Sequence, residues 1–200
     1  TSRQGDVGNG TALTLFREEE KAHHMSMYCT PGHAIWKGVK LNLIDAPGFL
    51  DFFSGVTQGV RVAESAMVVI DAKAGVGVGT VRAWRELGDM PRMVVVSKMD
   101  KAGANFEASW RDAKTKLDAP VVPIALPIGE GDNFHGVVCL FANKAYVPDP
   151  KGDHGELIKQ DPPPEMAEAV DRWHTELLET IATVNENLLE RYLEGEEIPV

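Results

Sequence analysis

Short apolar runs, each closed by a polar loop and followed by a helix-spaced stretch, recur along this chain. That alternation restricts it to few folds. Leu41, Leu43 and Ile44 make the first run, ended by Asp45 and broken by Pro47 and Gly48. Met67 to Ile70 is the second, ending at Asp71, and Met93 to Val96 is the third, running into Ser97-Lys98-Met99-Asp100. Val121 to Leu126 is a fourth run of this kind. Between them, Val56, Val60, Ala63 and Ala66 share one helical face, and Val81 to Leu87 reads as a helix stopped by Gly88. Asn105 caps a further helix carrying Phe106, Trp110 and Leu117. Buried strands alternating with helices predict an α/β, doubly wound, mostly parallel sheet with right-handed crossovers.

The flanks follow other patterns. Residues 1 to 14 are rich in Gly, Thr and Asn and read as a loop, and Glu18-Glu19-Glu20-Lys21 reads as a solvated turn. Met25, Met27 and Cys29 alternate with polar residues as in a strand, and Pro31-Gly32-His33 reads as a loop. Ala34 to Trp36, the turn Lys37-Gly38 and Val39 to Ile44 predict an antiparallel pair. From residue 123 short strands such as Val137 to Leu140 and Lys144 to Val147 replace the alternation. Asp161 and prolines 162 to 164 open a long helix, along which Met166, Val170, Trp173, Leu177, Ile181, Val184, Leu188 and Tyr192 share a face until Gly195. The expected division is 1–122, an inserted β-rich subdomain at 123–164, and a helix at 165–200 that packs back on the first part.

The totals exclude several classes. Two hundred residues with 44% hydrophobic content suffice for a real core. A formal net charge of −10 argues against a chain held to nucleic acid, DNA included, by its overall charge, but not against a local basic patch. The two cysteines, Cys29 and Cys139, have no metal or redox spacing and predict free thiols in a reducing compartment. No apolar run approaches the about 18 residues a membrane span needs, so no membrane partner is expected. The polar start Thr-Ser-Arg-Gln-Gly-Asp carries no signal peptide, and both ends read as cuts. Trp36, Trp84, Trp110 and Trp173 read as core or half-buried packing, and His135, His154 and His174 as surface residues.

Two strand ends carry candidate ligand groups. Asp45-Ala46-Pro47-Gly48 pairs a carboxylate, able to hold a metal-bound water, with a glycine that lets backbone approach a phosphate. Ser97-Lys98-Met99-Asp100 offers a carboxylate that accepts two parallel N–H donors from a guanine edge, and a lysine stem that lies along a flat base. In a parallel sheet such ends share one edge and face one ligand. A competing pattern is Gly75-Val76-Gly77-Val78-Gly79, with Asp100 further on, near a dinucleotide fingerprint of an oxidoreductase. Its third glycine comes one residue early, and a strand precedes the unit.

These stretches resemble the GTPase domain of bacterial elongation factor G and its close relatives. The resemblance is carried by Leu43-Ile44-Asp45-Ala46-Pro47-Gly48-Phe49-Leu50-Asp51-Phe52, Asp71-Ala72-Lys73-Ala74-Gly75-Val76, and Ser97-Lys98-Met99-Asp100-Lys101-Ala102-Gly103-Ala104. Leu126-Pro127-Ile128-Gly129, Asn133-Phe134-His135-Gly136-Val137-Val138 and Arg191-Tyr192-Leu193-Glu194-Gly195-Glu196-Glu197 extend it over nearly the whole chain.

The resemblance implies a partial P-loop GTPase fold that takes GTP or GDP with Mg²⁺. Ser26 sits where the family offers a Thr hydroxyl to Mg²⁺, Asp45 holds a magnesium-bound water, and Gly48 gives its amide to the γ-phosphate. Asp100 reads guanine under Lys98, and Ser97 stands where the family has Asn. The implied protein is a cytoplasmic, monomeric translation factor that couples GTP binding and hydrolysis to ribosome translocation or remodelling. The chain departs from the family at Phe49, where the usual residue is the catalytic His, and at His23-His24, where it is Arg-Gly. No Gly-x-x-x-x-Gly-Lys-Ser/Thr loop occurs in the chain; by the resemblance it lies upstream of Thr1, and the chain reads as a fragment. Phe49 also keeps open a non-hydrolysing ribosome-binding module.

Overall fold

A computed structural model describes residues 5–152 and 155–183. The fold is mixed α/β, and it divides into two compact units, 1–69 with 77–95, and 70–76 with 96–200.

In the first unit, α1 (Glu18–His23) leads through an irregular segment into β1 (Thr30–Trp36), which pairs antiparallel with β2 (Val39–Asp45). The hairpin turn is Lys37-Gly38, with φ of 47° and 80°, the left-handed pair that matches the twist of adjoining strands. β1 begins earlier than the pattern predicts. Pro31-Gly32-His33 lies inside it, with Pro31 opposite Ile44. A proline is tolerated there because β1 has no second neighbour among the described residues to need its missing N–H. Residues 25 to 29, expected to alternate as a strand, form none.

Leu41 and Leu43, expected to be buried, are 44% and 46% exposed. β2 is bonded on one side only among the described residues. Trp36 at the hairpin end is likewise exposed, at 67%. A 3-10 turn at Leu50–Phe52 runs into α2 (Phe53–Val60), which is shorter than the apolar spacing predicts, because Ala66 already belongs to β3 (Ala66–Asp71). α2 packs through glycines one turn apart. A Cβ on Gly55 would lie 2.7 Å from the Pro47 ring, and one on Gly59 3.5 Å from both Cys29 Sγ and Ile44 Cγ2. α3 (Val78–Glu86) starts at Gly77 and ends before Gly88, whose φ is 53°. Its Arg82 guanidinium lies 3.8 Å from the Phe53 ring centroid.

β3 and β4 (Arg92–Ser97) form the parallel pair. Ala66 N bonds Pro91 O and Ala72 N bonds Ser97 O, so both strands advance in one direction.

The second unit is built differently. β5 (Ala125–Ile128), β6 (Gly136–Cys139), β7 (Lys144–Pro148) and β8 (Leu157–Gln160) make an antiparallel sheet in sequence order. The Val121 to Leu126 run therefore does not add a parallel strand. Pro123 interrupts it, and the strand begins past that proline, paired with β6. α4 (Phe106–Lys116) is capped by Asn105, whose side chain accepts from Ala108 N, as its sequence predicts. α5 (Ala167–Thr183) follows a 3-10 turn at Pro164–Met166. Asp161 caps neither; its carboxylate pairs with Lys144. The positions Val184, Leu188, Tyr192 and Gly195 lie outside the described residues, as does His154.

Val170, Trp173 and Leu177 of α5 join Leu126, Ile128, Val138, Leu140 and Ala145 of the sheet region in one core. Trp110 of α4 meets Trp173 edge to face, with centroids 4.7 Å apart at 82°. Leu177 is 1% exposed at the centre of this contact. Leu177→Ala is expected to cost about 2–5 kcal/mol, read as a lower urea midpoint with unchanged slope.

Candidate functional site

In the first unit the candidate residues gather where β1 and β2 begin and end. Thr30 and Asp45 are register partners. Residues 25 to 29 fold back so that Ser26 Oγ donates to Asp45 Oδ2 at 3.2 Å. Both side chains are half-buried. Pro47 is buried against Gly55, which fixes the direction of the loop after Asp45. Gly48 is exposed, and a Cβ there would meet nothing within 4 Å. Phe49 is 56% exposed, and its ring has no group that can orient a water.

A hydroxyl and a carboxylate in contact are a hard-oxygen pair. Mg²⁺ takes one or two such protein oxygens and completes its octahedron with phosphate and water, so Ser26 and Asp45 fit it. Among the described residues no group of three or more His, Cys, Asp and Glu is arranged to hold a metal by itself. Cys29 lies beside this pair; burial and then the Asp45 charge raise its thiol above the ordinary range.

Glu20 is the residue that sequence reasoning missed here. It belongs to the run expected to be solvated, yet it is 0% exposed. Its carboxylate accepts from Met27 N at 3.0 Å, Tyr28 N at 3.2 Å and Arg17 N at 3.4 Å. Burial alone would raise its pKa, but these amides, with the Arg17 charge, outweigh it, and the group sits below its ordinary range. Position in a triple-Glu run holds no sign of this.

In the second unit the candidates follow β4. Lys98 has φ 60°, an unusual conformation for a residue with a side chain. Its ammonium lies 3.0 Å from Asp71 Oδ2. Asp71 Oδ1 also accepts from Lys73 N at 2.9 Å and Ala74 N at 3.0 Å. The Lys98 bond chiefly, then these two amides, carry Asp71 down to about 2. Asp71 thus positions Lys98, a role visible in sequence only as a second acidic strand end. Asp100 is exposed and pairs with Lys101 at 3.1 Å, a hydrogen bond that lowers its pKa and keeps it an ionised acceptor. Ser97 is half-buried, and its carbonyl receives Ala72 N. Met99 turns inward against Ala72 and Ala104. The loop at residues 72 to 76 is clamped to α4. Ser109 Oγ donates to Ala72 O at 3.0 Å, and Asp112 accepts Val76 N at 2.6 Å. Asp112 sits where a Cβ on Gly75 would be, 2.6 Å from Oδ2, so Gly75 makes a close approach to protein rather than to a pyrophosphate.

The chain matches the family described as elongation factor Tu GTP binding domain over residues 1–200. It is 38% identical over 200 aligned residues to elongation factor G 1 of Bdellovibrio bacteriovorus, covering 98% of this chain and 28% of that protein. A crystal structure of a Thermus thermophilus protein superposes with a TM-score of 0.89 at 38% identity, covering 99% of this chain and 29% of that one. The chain thus spans under a third of the length of these relatives.

The Asp71–Lys98 pair has a measurable signature. A carboxyl NMR titration is expected to give Asp71 a midpoint of about 2. Lys98→Met should return it toward the ordinary value of about 3.9. The folded value lies below the unfolded one, so the pair stabilises fully above about pH 4 and its contribution fades as pH falls toward about 2. Equal midpoints in both proteins would refute the pairing.

Proposed function

Since the chain belongs to the elongation factor Tu GTP-binding domain family, we propose that it supplies the magnesium-binding and guanine-reading parts of a GTP-dependent translation factor of the elongation factor G type. The observation that carries this reading is the Ser26–Asp45 contact, a hydroxyl–carboxylate pair at a strand end, next to a glycine with open space around it. In this reading Ser26 and Asp45 hold Mg²⁺, Asp45 through a water, and the Gly48 amide donates to the γ-phosphate. The bound cation neutralises phosphate charge; the protein's part is to hold these oxygens and that amide in place. Asp100 accepts two N–H donors of guanine, and the Lys98 stem covers the base. Ser97 and the backbone of Ala46 and Pro47 shape the loops that present these groups. Family membership speaks against the dinucleotide-dependent oxidoreductase, and Gly75 is taken up by its contact with Asp112.

The partner in this reading is the ribosome, and the protein acts in the cytoplasm as a monomer. Among the described residues no helix is long and apolar enough to cross a membrane. Elongation factor G 1 names a relative at 38% identity, and translocation or a related remodelling step is the activity proposed from it.

Phe49 favours a second reading. A phenylalanine cannot position the attacking water, so the protein binds GTP and docks on the ribosome without turnover. The two readings separate in one experiment on the full-length protein. Magnesium-dependent binding of a fluorescent GTP analogue is expected, and Asp100→Ala should weaken it about 100-fold or more, since two hydrogen bonds to a charged acceptor are lost. Phosphate release with ribosomes then distinguishes turnover from binding alone. On the second reading Phe49→His should raise that release by about 100-fold, the scale of a general acid–base contribution. Absence of guanine-nucleotide binding in the parent protein would overturn both.

A further inference from the structure

A carboxylate with no exposed surface is costly unless hydrogen bonds satisfy it. Glu20 meets that condition with backbone alone. Oε1 accepts Met27 N and Tyr28 N, and Oε2 accepts Arg17 N. Two of these donors follow Ser26 directly in the chain, and the third precedes α1. Glu20 therefore ties the segment carrying Ser26 back onto α1, across a stretch that has no strand or helix of its own. Two further contacts close the tie. Met25 N bonds Glu20 O at 3.2 Å, and the Arg17 guanidinium stacks 4.0 Å from the Tyr28 ring centroid. His24, at φ 53°, makes the reversal between α1 and this segment. With residues 25, 27 and 28 held, the Ser26 backbone is placed so that its hydroxyl donates to Asp45 at 3.2 Å.

We propose that Glu20 is a positioning residue for the divalent cation, acting through the backbone of Met27 and Tyr28 to hold the Ser26 hydroxyl against Asp45. The inference rests on the reading of Ser26 and Asp45 as the magnesium pair, and deepens it. Ser26 lies outside regular structure, so its readiness for the cation is set by a neighbour six residues earlier. The carboxylate reaches the cation only through the chain; it holds a ligand rather than being one.

The test uses the full-length protein loaded with a fluorescent GTP analogue. The dissociation rate of the analogue is followed as Mg²⁺ is titrated, and again in EDTA. Glu20→Ala is expected to raise the Mg²⁺ concentration at half-effect by about 10-fold or more, the usual cost of losing a group that orients a metal ligand. The rate in EDTA should stay within about twofold, and the Met27 and Tyr28 amides should exchange faster with deuterium. Glu20→Gln keeps an oxygen for the two amides and should stay near the parent. Glu20→Asp withdraws the oxygens by one methylene and should give an intermediate shift; it serves where Glu20→Ala does not fold. Ser26→Ala should move the same Mg²⁺ midpoint.

If Ser26→Ala moves the midpoint and the Glu20 variants do not, the magnesium reading stands and Glu20 is scaffold only. If Ser26→Ala leaves it unmoved, the magnesium reading falls and the Glu20 role falls with it. An equal change in EDTA, or a Glu20→Gln deficit as large as that of Glu20→Ala, also overturns the proposal.

Discussion

Backbone amides in loops need acceptors, and in this chain acidic side chains supply many of them. Glu20 takes the amides of Arg17, Met27 and Tyr28. Asp71 takes those of Lys73 and Ala74, Asp112 that of Val76, and Glu130 that of Phe106. Each bond satisfies an amide in a loop or at the start of a helix, where regular ladders give no partner. The excess of Asp and Glu behind the net charge of −10 is therefore partly internal scaffolding and not only a solvated surface. The lysine bonds from Lys98 to Asp71 and from Lys116 to Asp112 chiefly, and then the amides, lower those two pKa values, and the amides lower that of Glu20 against its burial, which keeps the acceptors ionised.

That economy explains what the sequence made legible. Features governed by local chemistry were readable. The Lys37-Gly38 hairpin turn, the Asn105 cap and the Gly88 stop each depend on a few neighbouring residues, and all three are present. The apolar runs of β3 and β4 were readable for the same reason. Features set by distant partners were not. A glutamate in a triple-Glu run looks solvated until the chain returns at residues 27 and 28 to wrap it. The Val121 to Leu126 run carries the pattern of a buried parallel strand, but Pro123 and the pairing with β6 assign its end to an antiparallel sheet. Asp161 has the right position for a cap, yet a lysine on β7 claims it. In each case the local signal was real and a tertiary contact outweighed it.

The candidate residues divide by what they can sense. In the proposed function Lys98 and Asp100 address a base, which is the same in GTP and GDP. There Ser26, Asp45 and Gly48 address the cation and the last phosphate, and that phosphate is present only in GTP. A ligand shifts a conformational equilibrium only by its differential affinity for the two states. In the proposed function the switch must therefore lie with the Ser26–Asp45 contact, and the guanine-reading end contributes affinity without direction.

Phe49 sharpens that division. It follows Gly48 directly and is 56% exposed beside Leu50 at 43%. An imidazole there could orient water; a phenyl ring leaves the preceding amide and carboxylate unaltered and removes only the polar contact. In the proposed function the change thus separates sensing the γ-phosphate from cleaving it, because the first is assigned to Ser26, Asp45 and the Gly48 backbone and the second to the side chain at 49. A protein of this design would hold its GTP-bound state for as long as nothing outside this loop supplies a group that orients water. The lifetime of that state would then be set by the partner rather than by the chain's own chemistry.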